Sequence, residues 1–477
     1  LRQAVGLIRR TEWFMFIEAA PAGGLDIFRA RFGPPVGIMI GHPRSERNTM
    51  SAQNLYDILA ERGFVYQCTD EPALRELFGQ GRPVTGYIGF DPTADSLHVG
   101  SLVPIMALVH MQRAGHRPIV LMGAGTCMVG DPSGKSELRQ MMTLERIRAN
   151  GDAMQRQLAH FISFDAGRAL MLNNADWLLP LNYIEFLRDV GRHFSVNRML
   201  TAESYKIRLE TGLTFLEFNY QLLQAYDFYV LLRDHDCLVQ MGGQDQWGNI
   251  VAGTDLCRRM LNRQAYGLTF PLLMNAGGEK FGKTVAGAVW LAEAKTSVFD
   301  FYQFWRNTED ADMARFLGLF TVLPMDEVRR LGALQPPLLN RAKEILAYEA
   351  TALAHGPEKA RQAYLSAVGQ FGSADPEGRV ATSSAVAGIR VEAADIIPST
   401  TIARARFADG LDIVQALVET GLVPSKGEAR RLVSQGGVTV NDRKVESAAL
   451  RLGEADLADG AVVIKLGKKR FHRLVAE

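Results

Sequence analysis

Residues 87–101 constrain the fold of this chain more than any other stretch, and they read Tyr-Ile-Gly-Phe-Asp-Pro-Thr-Ala-Asp-Ser-Leu-His-Val-Gly-Ser. This order of residue types predicts a buried strand, a sharp turn and the start of an apolar helix. The first turn of a helix offers N–H groups and a positive dipole to phosphate, and glycine lets the backbone approach a ligand closely. His98 and Gly100 lie at this helix start. The corner therefore predicts a nucleotide site.

From residue 84 onward, short apolar runs alternate with longer amphipathic stretches. Such alternation favours an α/β fold, in which helices connect the strands of a parallel sheet. The predicted strands span residues 84–90, 118–123, 169–173, 237–241 and 268–274. The predicted helices span about 100–114, 143–162, 180–191, 214–234 and 244–262.

The pattern changes after Phe320, where strands give way to helical segments interrupted by prolines. We therefore expect an α/β domain over residues 50–320 and a helical domain over 321–368. A linker with mixed Gly, Ser, Ala, Asp and Pro is expected over 369–408, followed by a small compact domain over 409–477.

Residues 1–49 do not fit this organisation. They contain seven arginines and four acidic residues but no lysine, and Met50 then begins an ordinary helical pattern. A transit peptide should be poor in acidic residues, and a secretory peptide needs an uninterrupted apolar stretch. We expect residues 1–49 to be a translated upstream extension that is non-functional or disordered.

Composition narrows the possible functions. The net charge of the 477 residues is +1, so any affinity for nucleic acid must come from a local patch. The four cysteines form neither a CxxC pair nor a zinc spacing with histidine, which is typical of reduced thiols in a cytoplasmic protein. No run of about 18 apolar residues is present, so we expect no membrane association.

A glycine-rich loop, Gly-Asp-Pro-Ser-Gly-Lys-Ser, occupies residues 130–136. It has three residues between its glycines where a phosphate-binding P-loop needs four. The Gly-Ala-Gly at 123–125 also lacks the third glycine of a dinucleotide fingerprint, because Met128 stands there. Lys135 and Arg139 are spaced to neutralise a polyphosphate, although a solvated basic face explains them equally well.

Three polar residues in an otherwise apolar helix form a more specific pattern. Tyr220, Gln224 and Asp227 are spaced at i, i+4 and i+7, so they share one helix face. Buried hydrogen-bonding groups need partners. The stripe therefore predicts either an internal polar network or a pocket for a small polar ligand, and we favour the pocket.

Two further glycine-containing segments follow predicted strands. Residues 240–249 read Gln-Met-Gly-Gly-Gln-Asp-Gln-Trp-Gly-Asn. A helix N-cap by Asp245 explains neither the paired glycines nor the glutamines, whereas backbone close to a ligand does. Residues 278–284, Gly-Glu-Lys-Phe-Gly-Lys-Thr, form a basic loop in which Lys280 and Lys283 are placed to reach charge that develops on a leaving pyrophosphate.

In order and spacing, these segments resemble the class I tyrosyl-tRNA synthetase family of bacterial type. The resemblance extends from about Met50 to the C-terminus. His98-Val-Gly-Ser101 stands where the HIGH motif of the class lies, and Lys280-Phe-Gly-Lys-Thr284 stands where its KMSKS motif lies. The resemblance implies a Rossmann-type parallel-sheet catalytic domain with a connective insertion, an α-helical anticodon-binding domain and a small α+β RNA-binding domain.

The implied activity is that of a tyrosine–tRNA ligase. Tyrosine attacks the α-phosphate of ATP to give tyrosyl-adenylate and pyrophosphate, and the tyrosyl group then passes to the 3′-terminal ribose of tRNA(Tyr). Neither step needs an enzyme nucleophile, and such reactions gain most from positioning and charge stabilisation. The chain offers many hydrogen-bonding groups and cations and no Ser–His–Asp set, which fits this chemistry.

The resemblance also implies roles for individual residues. The expected tyrosine-binding residues are Tyr87, Asp131, Tyr220, Gln224, Asp227 and Gln246. The expected ATP-binding residues are Gly89, Asp91, His98, Gly100, Lys135, Arg139, Gly243, Asp245 and Lys283. The expected catalytic residues, which stabilise the transition state, are Thr93, His98, Ser101, Lys280, Lys283 and Thr284.

Two features qualify this assignment. ATP is the expected substrate, and Mg²⁺ is expected to bind together with it. We expect neither a metal bound by the protein alone nor a tightly bound cofactor. Ser101 replaces the second histidine of the HIGH-like motif, and Gln244 stands where serine is usual. Serine hydrogen-bonds a ribose with less reach than histidine, so Ser101 is the position most expected to alter turnover.

The C-terminal segment carries an independent indication of RNA binding. From Lys426 to Glu477 there are eleven Lys and Arg residues and seven Asp and Glu residues, a net charge of +4. A basic patch on a small module is a cue for nucleic-acid binding. The segment is similar to the S-four-like RNA-binding module, and Lys426, Arg430 and Arg431 are the expected RNA-contacting residues.

Two alternatives remain open. One is the tryptophanyl relative, although Tyr87 and Asp227 argue against a pocket for indole. The other is an RNA-binding regulator that keeps the fold without catalysis. The family resemblance also implies a homodimer, with residues 180–200 as the candidate interface.

Overall fold

The structure is a computed structural model that describes most of the chain beyond residue 52. The described residues are 53–132, 142–274, 281–284, 287–389, 399–441, 443–458, 460–467 and 470–477. The predicted N-terminal extension, Lys135, Arg139 and Lys280 lie outside them. Lys283 and Thr284 are described only in their backbone.

A six-stranded sheet organises the N-terminal half of the described chain. Its strands are β1 (Gln67–Cys68), β2 (Thr85–Phe90), β3 (Arg117–Met122), β4 (Leu170–Asn173), β5 (Cys237–Gly243) and β6 (Tyr266–Phe270). Their order is β1-β6-β5-β2-β3-β4, and every pairing except that of β1 is parallel. The predicted parallel α/β sheet is therefore confirmed, while β1 was missed because it has only two residues.

The last parallel strand lies earlier than predicted. It ends at Phe270, four residues before the predicted end at residue 274. Pro271 follows, and proline cannot donate a hydrogen bond to a strand ladder. The remaining four predicted strands match the observed ones within two residues at either end.

Helices cover both faces of this sheet. They are α1 (Leu55–Glu61), α2 (Glu71–Gly79), α3 (Leu102–Arg113), α4 (Ala124–Cys127), α5 (Leu144–Phe161), α6 (Ala175–Leu178), α7 (Tyr183–Asp189), α8 (Val196–Met199), α9 (Glu203–Thr211), α10 (Phe215–Phe218), α11 (Tyr220–His235) and α12 (Trp247–Leu261). On one face Ile88 packs in the core that contains α3, and on the other Tyr87 packs with Phe228 of α11 and Cys257 of α12. A parallel sheet buried on both faces is the expected consequence.

The helix predicted over residues 214–234 is interrupted. Thr214 and Glu217 form a reciprocal capping box at the N-terminus of the short helix α10. A separate helix, α11, then begins at Tyr220. The predicted helix over 100–114 likewise begins with a 3₁₀ turn at Val99–Ser101 before α3. Both interruptions lie at the start of a helix that carries predicted site residues.

Helices follow the sheet, and they begin before the predicted boundary at residue 321. They are α13 (Val298–Arg306), α14 (Met313–Phe320), α15 (Met325–Gly332), α16 (Leu339–His355) and α17 (Pro357–Phe371), preceded by the short hairpin of β7 (Lys283–Thr284) and β8 (Gly287–Ala288). Helix α13 packs on α16 and α17. Trp305 and Phe320 are buried with these helices, which explains why the helical layer includes residues 298–320.

The C-terminal region has its own core and a five-stranded sheet. Its elements are β9 (Ser399–Ile402), α18 (Arg404–Ala408), β10 (Leu411–Asp412), α19 (Ile413–Glu419), α20 (Lys426–Ser434), β11 (Val438–Val440), β12 (Arg443–Lys444), β13 (Arg451–Leu452), β14 (Ala461–Leu466) and β15 (Arg470–Ala476). The sheet order is β12-β11-β14-β15-β9. Residues 399–408, predicted as linker, belong here because Ile402 and Phe407 are buried in this core.

The stretch 372–389, also predicted as linker, packs on the helical layer. Buried Glu327 of α15 accepts hydrogen bonds from the Thr382 and Ser383 side chains, and Val386 is 1% exposed in the main core. Throughout the described residues, no helix combines the length and apolarity that a bilayer crossing needs.

Candidate active site

Two adjacent cavities open at the carboxyl ends of β2, β3 and β5. We call the first, of about 350 Å³, cavity A. The second, of about 400 Å³, is cavity B. They share Gly89, Phe90, Asp91, Thr93 and Ser101 from the predicted nucleotide corner. The carboxyl edge of a parallel sheet is where α/β proteins bind ligands, so the two cavities form one candidate site.

One end of cavity A is built by Tyr87 of β2 and Asp227 of α11, two of the expected tyrosine-binding residues. Both side chains are almost fully buried and line the cavity. Among the described residues, the Tyr87 hydroxyl has no hydrogen-bond partner, and the same is true of Oε1 of Gln240 on β5. Buried polar atoms are rarely left unpaired, so these atoms indicate a ligand with complementary polar groups.

The Asp227 carboxylate is oriented by two donors that sequence reasoning missed. Nδ2 of Asn174 donates to Oδ2 at 3.0 Å, and Nε1 of Trp177 donates to Oδ1 at 2.8 Å. Burial raises the pKa of Asp227 to about 7, although these two hydrogen bonds act in the opposite direction. Burial, reinforced by the Asp227 charge, also raises the pKa of the Tyr87 phenol well above its usual value. Tyr87 therefore remains a neutral phenol that can both donate and accept.

Farther along cavity A, Tyr220 of α11 donates to Oδ2 of Asp91 at 3.1 Å. Thr126 donates to the other oxygen, Oδ1, at 2.9 Å. Gly123 lies directly against this carboxylate, because a Cβ at that position would be 2.1 Å from Oδ1 of Asp91. Gly123 was considered in the sequence only as part of an incomplete dinucleotide fingerprint. The structure gives it a different role, that of leaving space for Asp91.

Hydrogen-bonded amides lie along one wall of the same cavity. Nε2 of Gln246 donates to Oδ2 of Asp131 at 2.7 Å. Asn249, which is buried, donates from Nδ2 to Oε1 of both Gln224 and Gln246. The hydroxyl, amide and carboxylate oxygens of Tyr220, Gln224 and Asp131 thus line one cavity. This acceptor-rich lining suits a cationic ligand group such as an ammonium.

Cavity B extends from the turn after β2 to the start of α3. Thr93, His98 and Ser101 line it, together with Trp290, which sequence reasoning had not selected. Nδ1 of His98 accepts a hydrogen bond from the Gly100 N–H at 3.0 Å. A neutral His98 ring therefore carries its proton on Nε2. Supporting residues come from α5, where Asn150 holds the Pro92 carbonyl and Gln157 holds the Leu97 N–H.

The basic loop reaches this corner through its backbone. Val99 donates its N–H to the Val289 carbonyl at 2.9 Å, and Val289 donates to the Gly282 carbonyl at 3.1 Å. Gly282 has a φ of +84°, and a Cβ there would be 2.6 Å from Cγ2 of Val99. The loop containing Lys283 and Thr284 therefore lies against the His98–Ser101 turn, as the predicted roles of both segments require.

Asp245 and Gln244 lie beside a third cavity. Asp245 does not line cavity A or B but a third cavity of about 640 Å³, which we call cavity C. It lies in a 3₁₀ turn at Gln244–Gln246, where successive side chains point about 120° apart, so Asp245 and Gln246 face different cavities. Oε1 of Gln244 accepts the Leu272 N–H at 3.0 Å and thereby ties this turn to the segment after β6.

The predicted RNA-contacting residues lie on one helix. Lys426, Arg430 and Arg431 belong to α20 and are all exposed. Arg431 forms an ion pair of 2.6 Å with Glu428 of the same helix. Exposed cations on a helix are available to phosphate groups, as the proposed RNA contact needs.

Comparisons with known proteins agree with this geometry. Residues 80–371 match the model of the family described as tRNA synthetases class I (W and Y). Residues 391–474 match the model described as Tyrosine--tRNA ligase SYY-like C-terminal domain. The tyrosine–tRNA ligase of Desulfosudis oleivorans is 55% identical over 428 residues, which cover 88% of this chain and 99% of the relative. That of Clostridium beijerinckii is 51% identical over 422 residues, with the same coverage.

Solved structures show the same relationship. A C-terminally truncated mitochondrial tyrosyl-tRNA synthetase from Aspergillus nidulans matches with a TM-score of 0.59 at 30% identity, and covers 66% of this chain and 93% of its own. The corresponding Coccidioides posadasii protein matches with a TM-score of 0.58 at 31% identity, over 65% of this chain and 91% of its own. The chain belongs to the class I tRNA synthetase family, and within that family to the tyrosine–tRNA ligases.

Proposed function

We propose that this protein activates L-tyrosine with ATP to form tyrosyl-adenylate and pyrophosphate, and then transfers the tyrosyl group to the 3′-terminal ribose of tRNA(Tyr). The observation that carries the proposal is the pair Tyr87 and Asp227 at one end of cavity A. A phenol ligand would pair with the otherwise partnerless Tyr87 hydroxyl and with the Asp227 carboxylate. A phenyl ring would leave the buried Tyr87 hydroxyl without a partner, which costs about 1–3 kcal/mol.

The other end of cavity A suits the amino-acid ammonium. We assign Tyr220, Gln224 and Asp131 to that group, because their oxygens line the same cavity. Gln246 would position Asp131 through its 2.7 Å hydrogen bond. The tyrosine substrate would therefore lie between two sets of polar residues, with its carboxylate directed toward the residues shared with cavity B.

We assign ATP to cavity B and to the residues that both cavities share. Gly89, Asp91 and Gly243 would lie beside the adenylate, while Thr93 and His98 would contact the phosphates in the transition state. Ser101 lines both cavities, which suits a ribose contact. Mg²⁺ would enter with ATP, and Lys135, Arg139, Lys280, Lys283 and Thr284 would surround the leaving pyrophosphate.

The tRNA would be held by the helical layer and by the C-terminal region, with Lys426, Arg430 and Arg431 on its phosphates. We also propose a homodimer. Large apolar side chains between residues 179 and 216 are exposed, and Ile184 and Phe215 are each 69% exposed. Such a concentration of exposed apolar side chains is typical of an interaction surface. We propose further that the protein acts in the cytoplasm.

ATP–pyrophosphate exchange with tyrosine, tryptophan and phenylalanine tests the proposal. Exchange that depends on tyrosine alone is the expected result. Exchange with tryptophan alone would instead support a tryptophanyl-type enzyme. If no amino acid supports exchange but the protein binds tRNA, the chain is a catalytically silent RNA-binding relative. In that case Ser101→His is the first variant to test for restored exchange.

A further inference from the structure

Trp290 contacts two polar or charged side chains beside cavity B, those of His98 and Lys295. Its ring meets the His98 imidazole edge to face, with ring centroids 6.0 Å apart and an angle of 74° between the planes. Nζ of Lys295 lies 4.5 Å from the centre of the Trp290 ring, within the range of a cation–π contact. His98 and Trp290 both line the cavity, and together with Lys295 they form a contiguous group of side chains.

The backbone around Trp290 is joined to the turn that carries His98. His98 and Trp290 form an isolated antiparallel bridge. Val99 donates to the Val289 carbonyl at 2.9 Å, and Leu291 donates to the Leu97 carbonyl at 2.8 Å. The Trp290 N–H donates to Oγ1 of Thr296 at 3.0 Å, so the segment is also held from its other side. These bonds fix the Trp290 backbone relative to that of His98.

Fixing the backbone does not by itself orient an exposed imidazole. The His98 side chain is exposed, and its Nδ1 accepts a hydrogen bond from the Gly100 N–H. Contact with the indole further restricts rotation of the ring, and the ion pair between Lys295 and Asp95 holds the cation near the indole. A large flat side chain in this place therefore limits the orientations that the His98 imidazole can take beside the cavity.

We propose that Trp290 is a positioning residue for the ATP-dependent step and that it acts by orienting His98 toward the phosphates in cavity B. The inference rests on the proposed function. It extends the site to the segment between the basic loop and α13. Lys295 supports this role by contacting the indole, and Asp95 pairs with the Lys295 ammonium group.

The test compares Trp290→Leu, Trp290→Phe and the wild type in ATP–pyrophosphate exchange. We expect Trp290→Leu to lower kcat about tenfold or more without changing the dissociation constant of tyrosine, which binds in cavity A. Trp290→Phe keeps an aromatic ring and is expected to recover most of the loss. Phe371→Leu is a matched control, because Phe371 is 72% exposed at the end of α17.

A double-mutant cycle with His98→Ala separates positioning from general structural support. If Trp290 acts through His98, Trp290→Leu causes little further loss once His98 is alanine. Additive losses in kcat, or a parallel loss of tyrosine affinity, would overturn the inference. Should Trp290→Leu fail to fold, as judged by its thermal unfolding, the cycle is completed with Trp290→Met, which also lacks an aromatic ring. A wild type that shows no exchange with tyrosine refutes the proposed function, whereas exchange with an additive cycle refutes only the role of Trp290.

Fluorescence gives a second readout that does not depend on turnover. Trp290 lines cavity B, so its emission should change when ATP binds with Mg²⁺ in the presence of a non-reactive tyrosine analogue. We expect the change to be lost in Trp290→Phe and retained in Phe371→Leu. An identical change in Trp290→Phe would show that the nucleotide does not approach Trp290.

Discussion

The Trp177 indole N–H donates a 2.8 Å hydrogen bond to Oδ1 of Asp227, while Asn174 donates to Oδ2. The two donors hold the carboxylate plane in place before any ligand enters. The same carboxylate has an elevated pKa because it is buried, so the two hydrogen bonds only partly stabilise its charge. A ligand hydroxyl would add a third donor, and the pair Trp177–Asp227 therefore prepares the site for a phenol.

Replacement of Asp227 by alanine should reduce discrimination between tyrosine and phenylalanine. A hydrogen bond to a charged group contributes about 1.5–3 kcal/mol, so we expect kcat/KM for tyrosine to fall about 10- to 150-fold. Phenylalanine has no hydroxyl, so its rate should change little. Tyrosine–tRNA ligases are a known example of such selectivity, since they favour tyrosine over phenylalanine by about 10⁵-fold. ATP–pyrophosphate exchange measures both rates, and Asp234→Ala, an exposed position on the same helix, is the control. An unchanged ratio would contradict our assignment of Asp227.

The raised pKa of Asp227 predicts a particular pH dependence of stability. An unfolded chain releases this proton near pH 4, whereas the native carboxyl, with a pKa of about 7, retains it up to near neutrality. Between these values the native state binds more protons, so the free energy of unfolding falls as pH rises, by an amount of the order of 4 kcal/mol. Thermal unfolding of the wild type and of Asp227→Asn checks this. The wild-type Tm minus the variant Tm should decrease from pH 4.5 to 8, and a constant difference would contradict it.

Gly123→Ala should damage the site although the added group is one methyl. The new Cβ would lie 2.1 Å from Oδ1 of Asp91 and 2.7 Å from Oγ1 of Thr126. Asp91 must then move, and its hydrogen bond to Tyr220 should be lost. We expect kcat for tyrosine activation to fall about 10²-fold, a typical result when a positioned group is displaced by about 1 Å.

Gly151→Ala is the matched control for that variant. Gly151 lies inside α5, and the nearest atom to its added Cβ is Cγ of Met122 at 3.6 Å, an ordinary contact. Alanine favours a helix over glycine by about 0.5–1 kcal/mol, so this variant should be as active as the wild type and slightly more stable. Equal activity of both variants would show that Asp91 tolerates the displacement.

Much of the site could be predicted from strand ends and helix periodicity. The polar stripe on α11 placed Tyr220, Gln224 and Asp227 in one cavity, and the turn after β2 contributed Asp91 and Thr93, because both patterns follow from regular backbone geometry. Asn174 and Thr126 were missed although they follow β4 and β3 at the same sheet edge. The signal was available, since any polar residue after a parallel strand is a candidate.

Other features depend on details that periodicity does not encode. Trp177 lies in a short stretch that reads as apolar, and its role appears only when α6 is placed beside α11. The 3₁₀ turn at Gln244–Gln246, which places Asp245 along cavity C, was likewise not predicted. Trp290 was missed for a similar reason, since its contact with His98 joins residues 192 positions apart through an irregular backbone bridge.

The exposed apolar surface between residues 179 and 216 predicts a concentration-dependent dimer. Ile184→Asp and Phe215→Asp place charges at positions that are 69% exposed in the single chain. If these positions are buried between two copies, the charges should shift the protein to monomers and reduce activity at low concentration. Light scattering measures the mass. Phe371→Asp, at an equally exposed aromatic position, should leave it unchanged. A mass unaffected by either interface variant would place the interface elsewhere or exclude it.

Substitutions on α20 should separate tRNA charging from amino-acid activation. Arg430 is exposed on this helix, whereas the two activation cavities are lined by residues between Tyr87 and Gln246 and by Trp290. We expect Arg430→Ala to weaken tRNA binding and to reduce by about one the slope of log affinity against log salt concentration, because one phosphate contact is lost. ATP–pyrophosphate exchange should be unchanged. Arg406→Ala is the control, because the Arg406 guanidinium is already paired with both oxygens of Glu419. If Arg430→Ala leaves both tRNA affinity and its salt dependence as in the wild type, α20 does not contact the RNA backbone at this residue.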